Sequence, residues 1–134
     1  MKLLLDTHIL IWMLADDPKL PQKARELILD ETNELYISTV SIWEVVVKHA
    51  LHPHKMPYSG KILYDICLQA GLKTRAINTE HIQAIEGLRR EKSAPPHKDP
   101  FDRVLIAQSK TEGLILITHD SLIQAYGEPC VLTV

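Results

Sequence analysis

The sequence predicts an α/β domain built on a parallel sheet of about five strands. Short apolar runs rich in Leu, Ile and Val alternate with longer stretches of helical period, the pattern of strands joined by covering helices. Five such runs, at 2–6, 35–38, 73–77, 114–118 and 130–133, are spread over the whole chain. A chain of 134 residues with 46% hydrophobic content has the size of one globular domain and closes a core without staples, so one domain over 1–134 is expected.

The first strand runs through Leu3, Leu4 and Leu5 to Asp6. A helix follows through Trp12 and ends at the Asp16-Asp17-Pro18 break, and Pro21 to Thr32 places Ala24, Leu27 and Ile28 at helical spacing. Two helices therefore join the first strand to the second. Residues 41–51 read as a helix, 52–59 with Pro53 and Pro57 as a loop, 60–70 as a helix ended by Gly71, and 79–90 as another. Ser93 to His97, with Pro95-Pro96, cannot be helical. Asp99-Pro100 then opens a helix, Asp as cap and Pro in the first turn, carrying Val104, Leu105, Ala107 and Gln108 to Gly113. There is no internal repeat, low-complexity tract or linker.

Lys and Arg number 15 against 17 Asp and Glu, and a net charge of -2 gives no global basic field to draw nucleic acid. Any such binding must come from local patches or a metal. Cys67 and Cys130 lie far apart and read as free thiols in a reducing, cytoplasmic setting. Lys2 and the leucines after it have the look of a secretory signal, but Asp6 cuts the run short. No run approaches the roughly 18 apolar residues of a membrane span.

In open α/β sheets the ligand crevice lies at the carboxyl ends of the strands. Four acids fit that rule: Asp6 ends the first strand, Asp120 follows 114–118, and Glu44 and Asp102 fall in the first turns of two expected helices. Each has a structural explanation as well. Ser41 and Glu44 have the spacing of a capping box, Asp99 caps a helix whose dipole Asp102 complements, and Asp6 and Asp120 cap the segments starting at Thr7 and Ser121. Four independent caps need not point into one crevice, whereas the strand-end rule brings these four there. Carboxylates so gathered repel, raise one another's pKa and cost stability unless a cation neutralises them. Hard oxygen ligands suit Mg2+ or Mn2+, which activate water and clamp the charge of a phosphodiester. The chemistry expected is phosphodiester hydrolysis.

These residues resemble the PIN-domain family, in particular the VapC-type toxins of toxin–antitoxin pairs. The similarity spans essentially the whole chain. Its marks are Leu4-Leu5-Asp6-Thr7 with His8, Ser41-Ile42-Trp43-Glu44, the stretch His97-Lys98-Asp99-Pro100-Phe101-Asp102-Arg103 running into Leu105-Ile106-Ala107-Gln108, and Ile117-Thr118-His119-Asp120. The resemblance implies a three-layer α/β/α domain with sheet order 3-2-1-4-5, a metal site of three or four acids, and cleavage of single-stranded RNA with no protein nucleophile. It also implies a homodimer and a cognate antitoxin. Asp6, Glu44, Asp102 and Asp120 take the acidic motif positions, and Thr7, Ser41 and Thr118 the hydroxyl positions beside them. Asp99 and Asp102 are both available in the third motif; Asp102 is preferred because its distance to Leu105-Ile106-Ala107 fits the family spacing better.

Arg89, Arg90, Lys92, Lys98 and Arg103 concentrate positive charge around the Pro95-Pro96 loop, where they either hold RNA phosphates or form a solvated surface. Lys48, one turn after Glu44, suits an ordinary i,i+4 pair or a phosphate contact. His97 and His119 are candidate proton carriers. His52-Pro53-His54 lacks further zinc ligands nearby and reads as a surface loop. Trp12, Trp43 and Tyr36 read as core or dimer surface rather than base-stacking platforms. Two rivals stand beside the ribonuclease. One is an aspartyl-phosphate phosphatase with Asp6 as nucleophile, against which His8 stands where a second Asp belongs. The other is a catalytically silent module whose acidic pocket docks a basic segment.

Overall fold

Leu3, Leu4 and Leu5 are all wholly buried, so the strand they form must be covered on both faces. In a computed structural model describing all 134 residues, β1 (Lys2–Leu5) is the central strand of a five-stranded sheet. It pairs in parallel with β2 (Glu34–Ser38) on one side and β4 (Ile115–Thr118) on the other, Leu4 standing opposite Tyr36 and Leu116. The edges are β3 (Lys73–Arg75), parallel to β2, and β5 (Val131–Thr133), parallel to β4, giving the order β3-β2-β1-β4-β5.

Side chains alternate across a strand, and the two cores follow that alternation. Leu3, Leu5, Ile37 and Ile117 face one core with α1 (Thr7–Leu14), α2 (Gln22–Leu29), α3 (Thr39–Leu51) and α4 (Gly60–Gln69). Leu4, Tyr36 and Leu116 face the other with α5 (Thr79–Ala84), α6 (Pro100–Glu112) and α7 (Ser121–Gln124). The result is the three-layer α/β/α arrangement. Cys67 is buried in the first core, where burial pushes its thiol up to about 11, and both cysteines are free. No helix is long and apolar enough to cross a membrane.

Several element ends differ from the sequence reading, each for a local reason. α2 stops at Leu29, not Thr32, because the Asp30 carboxylate accepts the amide and hydroxyl of Thr32 and turns the chain. α3 starts at Thr39, not 41, because Ser38 caps it by accepting the Val40 amide. The expected 79–90 helix ends at Ala84 and passes through a single 3-10 turn, Ile85–Gly87. The carbonyls of Glu86 and Leu88 are taken by Arg89, and those of Pro95 and Leu122 by Arg90. β3 is two residues shorter than expected; just beyond it, the Ile77 amide donates to Thr39 Oγ1. α6 is as expected, capped by Asp99 and ended by Gly113 at φ 69°, a left-handed conformation open to glycine.

Candidate metal centre at the carboxyl end of the sheet

The chain leaves β1 for β2 on one side and returns to β4 on the other, so the crevice of this sheet lies above β1 and β4. Asp6 stands there. Its amide donates to the Ile117 carbonyl at 3.0 Å, carrying the β1–β4 ladder up to the carboxylate. Its Oδ1 accepts the Thr7 amide at 2.7 Å and caps α1, while Oδ2 accepts the Thr118 hydroxyl at 2.8 Å. Thr118 Oγ1 also accepts the Asp120 amide at 3.1 Å, and Asp120 caps α7 through the Leu122 amide. Capping and clustering are thus not alternatives for Asp6 and Asp120; one carboxylate does both.

Glu44 and Asp102 are different. The expected Ser41/Glu44 capping box is absent, because α3 begins at Thr39 and both residues lie inside the helix. Glu44 is 1% exposed, its Oε1 accepts the Thr7 hydroxyl at 2.8 Å, and that hydroxyl lies 2.9 Å from Ser41 Oγ. Lys48 donates to Glu44 Oε2. Burial works to lower the Lys48 ammonium, but the bond to Glu44 and its charge outweigh it and hold the pKa above the ordinary value. This is a buried carboxylate with a half-buried partner, not the ordinary surface pair.

Asp102 is buried and caps nothing: Asp99 accepts the amides of Phe101 and Asp102 at the start of α6. The Asp102 Oδ2 lies 3.1 Å from His97 Nε2, whose Nδ1 lies 2.7 Å from the Tyr126 hydroxyl. The two rings meet edge to face, and the Arg90 guanidinium covers the other ring at 5.3 Å. Ligand atoms of His97, Asp102 and Asp120 all lie within 4.8 Å of one another.

The electrostatics record the crowding. Burial drives Asp6 up to about 6, with the Glu44 charge adding and the Thr118 hydroxyl, His8 and the Thr7 amide opposing. Burial drives Asp102 up to about 8, and the charges of Asp6, Asp99, Glu44 and Asp120 all push the same way. Burial lowers His97, helped by Arg90 and Arg103 against Asp120 and Asp99. His97, Asp102 and Asp120 form the close group, with Asp6 and Glu44 outside it, and their carboxylate oxygens suit a divalent cation.

An open pocket of about 250 Å3 adjoins the cluster, lined by Asp6, His8, Trp12, His119 and Asp120. Trp12, expected in core or dimer surface, packs partly on the first core and also walls this pocket. Trp43 is 55% exposed and meets Phe101 edge to face, while Tyr36 is buried beneath the Arg75 guanidinium. Arg89 and Arg90 are tied to backbone carbonyls, Lys92 and Lys98 are exposed, and Arg103 has a buried Nε without a partner. His52 and His54 lie exposed in the turn after α3, outside the cluster. Tyr126 is the residue the sequence reading missed; no spacing or period ties it to His97.

A PIN domain family model matches residues 3–129. Among solved structures the chain is similar to VapBC2 from Rickettsia felis bound to a DNA fragment of its promoter, with 17% identity, TM-score 0.69, and 100% of this chain and 98% of that one covered. It is also similar to DNA-bound VapBC from Salmonella typhimurium, with 18% identity, TM-score 0.65, and 100% and 97% covered. A toxin–antitoxin complex from Klebsiella pneumoniae gives 21% identity, TM-score 0.62, and 97% and 95% covered. At these identities the likeness is one of fold. No curated protein matches the sequence.

Proposed function

The chain belongs to the PIN-domain family, and from that premise we propose that it is a Mg2+- or Mn2+-dependent endoribonuclease cutting single-stranded RNA. Its proposed setting is the cytoplasm, as the homodimeric toxin of a type II toxin–antitoxin system with a cognate antitoxin. The observation that carries the catalytic reading is that Glu44 and Asp102 are buried beside Asp6 and Asp120 without capping any helix. Thr7 and Lys48 partner Glu44 and His97 partners Asp102, yet no helix end needs either acid, which supports a shared cation as the reason they gather. The toxin–antitoxin complexes among the fold neighbours support the partner.

Asp6, Glu44, Asp102 and Asp120 would hold the ion. When bound, Mg2+ or Mn2+ supplies Lewis-acid activation of water and neutralises charge on the phosphodiester. Thr118 orients Asp6, Thr7 with Ser41 orients Glu44, and His97 orients Asp102. Lys48 offsets part of the acidic charge, and Arg103, Lys92 and Lys98 supply positive charge for RNA phosphates. A phosphatase is disfavoured because His8 stands two residues after Asp6, where a second Asp belongs.

Labelled single-stranded RNA incubated with Mg2+, Mn2+ or EDTA tests the reading, with aryl phosphates as controls. Cleavage is expected with either metal and not with EDTA or on aryl phosphates. Metal-dependent phosphatase activity, or intact RNA under every condition, would overturn it. Tyr126→Phe removes the hydroxyl that steadies His97, and should lower metal affinity or cleavage by roughly ten- to hundredfold. His97→Ala should act in the same range, and the double variant should be no worse than His97→Ala alone. Additive losses would separate Tyr126 from His97.

A further inference from the structure

Resting on the ribonuclease reading, we infer that His8, Trp12 and His119 form a stacking subsite for the unpaired base next to the phosphate being cut. His8 and Trp12 lie one turn apart on α1, on one face of the helix, with ring centroids 6.0 Å apart. His119 meets the indole edge-on at 5.7 Å, and its own ring is held by Nδ1 at 2.5 Å from the Val134 carbonyl oxygen. All three rings line the same pocket as Asp6 and Asp120.

Two features set the ligand class. The pocket wall contains no Lys or Arg, so it is not made for a phosphate of its own. Apart from Asp6 and Asp120, its lining is three rings, two of them on exposed histidines that the core does not need. A strand whose phosphate reaches Asp6 and Asp120 must place a neighbouring nucleotide within this pocket, and an unstacked base is the part of a nucleotide that aromatic side chains receive. Stacking reads a π-face rather than base edges, so the subsite tolerates sequence and favours the broader purines.

The protein has two tryptophans, so Trp43→Phe leaves Trp12 as the only indole emitter. Oligoadenylate added in Ca2+, in place of the catalytic metal, should quench that emission saturably, and oligouridylate should do so more weakly. Emission from Trp43 in Trp12→Phe should not change. By anisotropy of labelled oligoadenylate, Trp12→Leu should bind roughly 5- to 150-fold more weakly, while Trp12→Phe keeps most of the affinity. His8→Ala, at an exposed position, should weaken binding without altering thermal unfolding, and His119→Ala should weaken binding at temperatures where it remains folded. Unquenched Trp12, or Leu as good as Phe at position 12, would overturn the subsite. Saturable quenching without cleavage in Mg2+ or Mn2+ would sink the ribonuclease reading and keep the subsite. Cleavage with unquenched Trp12 would do the reverse.

Discussion

Asp102→Asn is expected to abolish RNA cleavage while making the metal-free protein more stable at neutral pH. The carboxylate is buried, caps no helix and is driven up to about 8 by burial and by four neighbouring carboxylates. At neutral pH the folded Asp102 must take up a proton that the unfolded chain does not hold, and Asn, of the same shape, needs none, so the variant is spared that cost. Losing one ligand removes several kcal/mol of transition-state stabilisation, a drop of at least about a thousandfold. Asp6→Asn should behave likewise, because an Asn carbonyl still accepts the Thr7 amide. Asp99→Asn is the contrast: it keeps the cap on α6 almost intact and should leave most of the activity. Single-turnover cleavage and urea unfolding of the three variants check this, and activity lost at Asp99 but kept at Asp102 would move the third ligand.

The second large effect is on stability itself. Asp6 titrates near 3.8 unfolded and about 6 folded, and Asp102 near 3.8 unfolded and about 8 folded. Both folded values are raised, so the native state binds more protons than the unfolded chain in between, and stability must fall as pH rises. For Asp6 the loss levels off above about 6, and for Asp102 above about 8. His97 works the other way, but only below its ordinary value of 6.5, which leaves pH 6.5 to 8 as the window where Asp102 dominates. The two carboxyls together represent on the order of several kcal/mol. Mg2+ or Mn2+ should return most of it, and more at pH 8 than at pH 5, since binding competes with protons. Urea unfolding in EDTA and in Mn2+ across that range measures both slopes; metal-free stability that is flat or rises above pH 6.5 would contradict the acidic cluster.

Apolar runs carried the strands well, because the middles of β1, β2 and β4 are buried on both faces. Ends were harder. Ser38 and Ser41 are equally good caps by residue type, and the structure ends β2 at Ser38, opposite Arg75 of β3, with α3 starting directly after it. The same choice decided whether Glu44 was a capping partner or a buried acid. The placement of Asp6 and Asp120 at one end of the sheet was legible from the strand-end rule, since both follow neighbouring strands. The His97–Tyr126 pair was not, because it joins two loops 29 residues apart with no period between them. Trp12 was half-read: helical spacing puts it on an apolar stripe, but only the position of β4 shows that the stripe's end opens into the pocket.

The hydrogen bond between Thr118 and Asp6 spans 112 residues, and β1, the first strand made, lies between β2 and the much later β4. A ribosome making this chain releases β1, β2 and β3 long before β4, so one flank of β1 stays unpaired until β4 emerges. Asp6 and Glu44 emerge early, yet they meet Asp120 only once β4 has docked, a long-range closure of the kind that slows folding. The acidic site therefore cannot exist on a nascent chain that lacks β4, and its assembly waits for that strand to emerge.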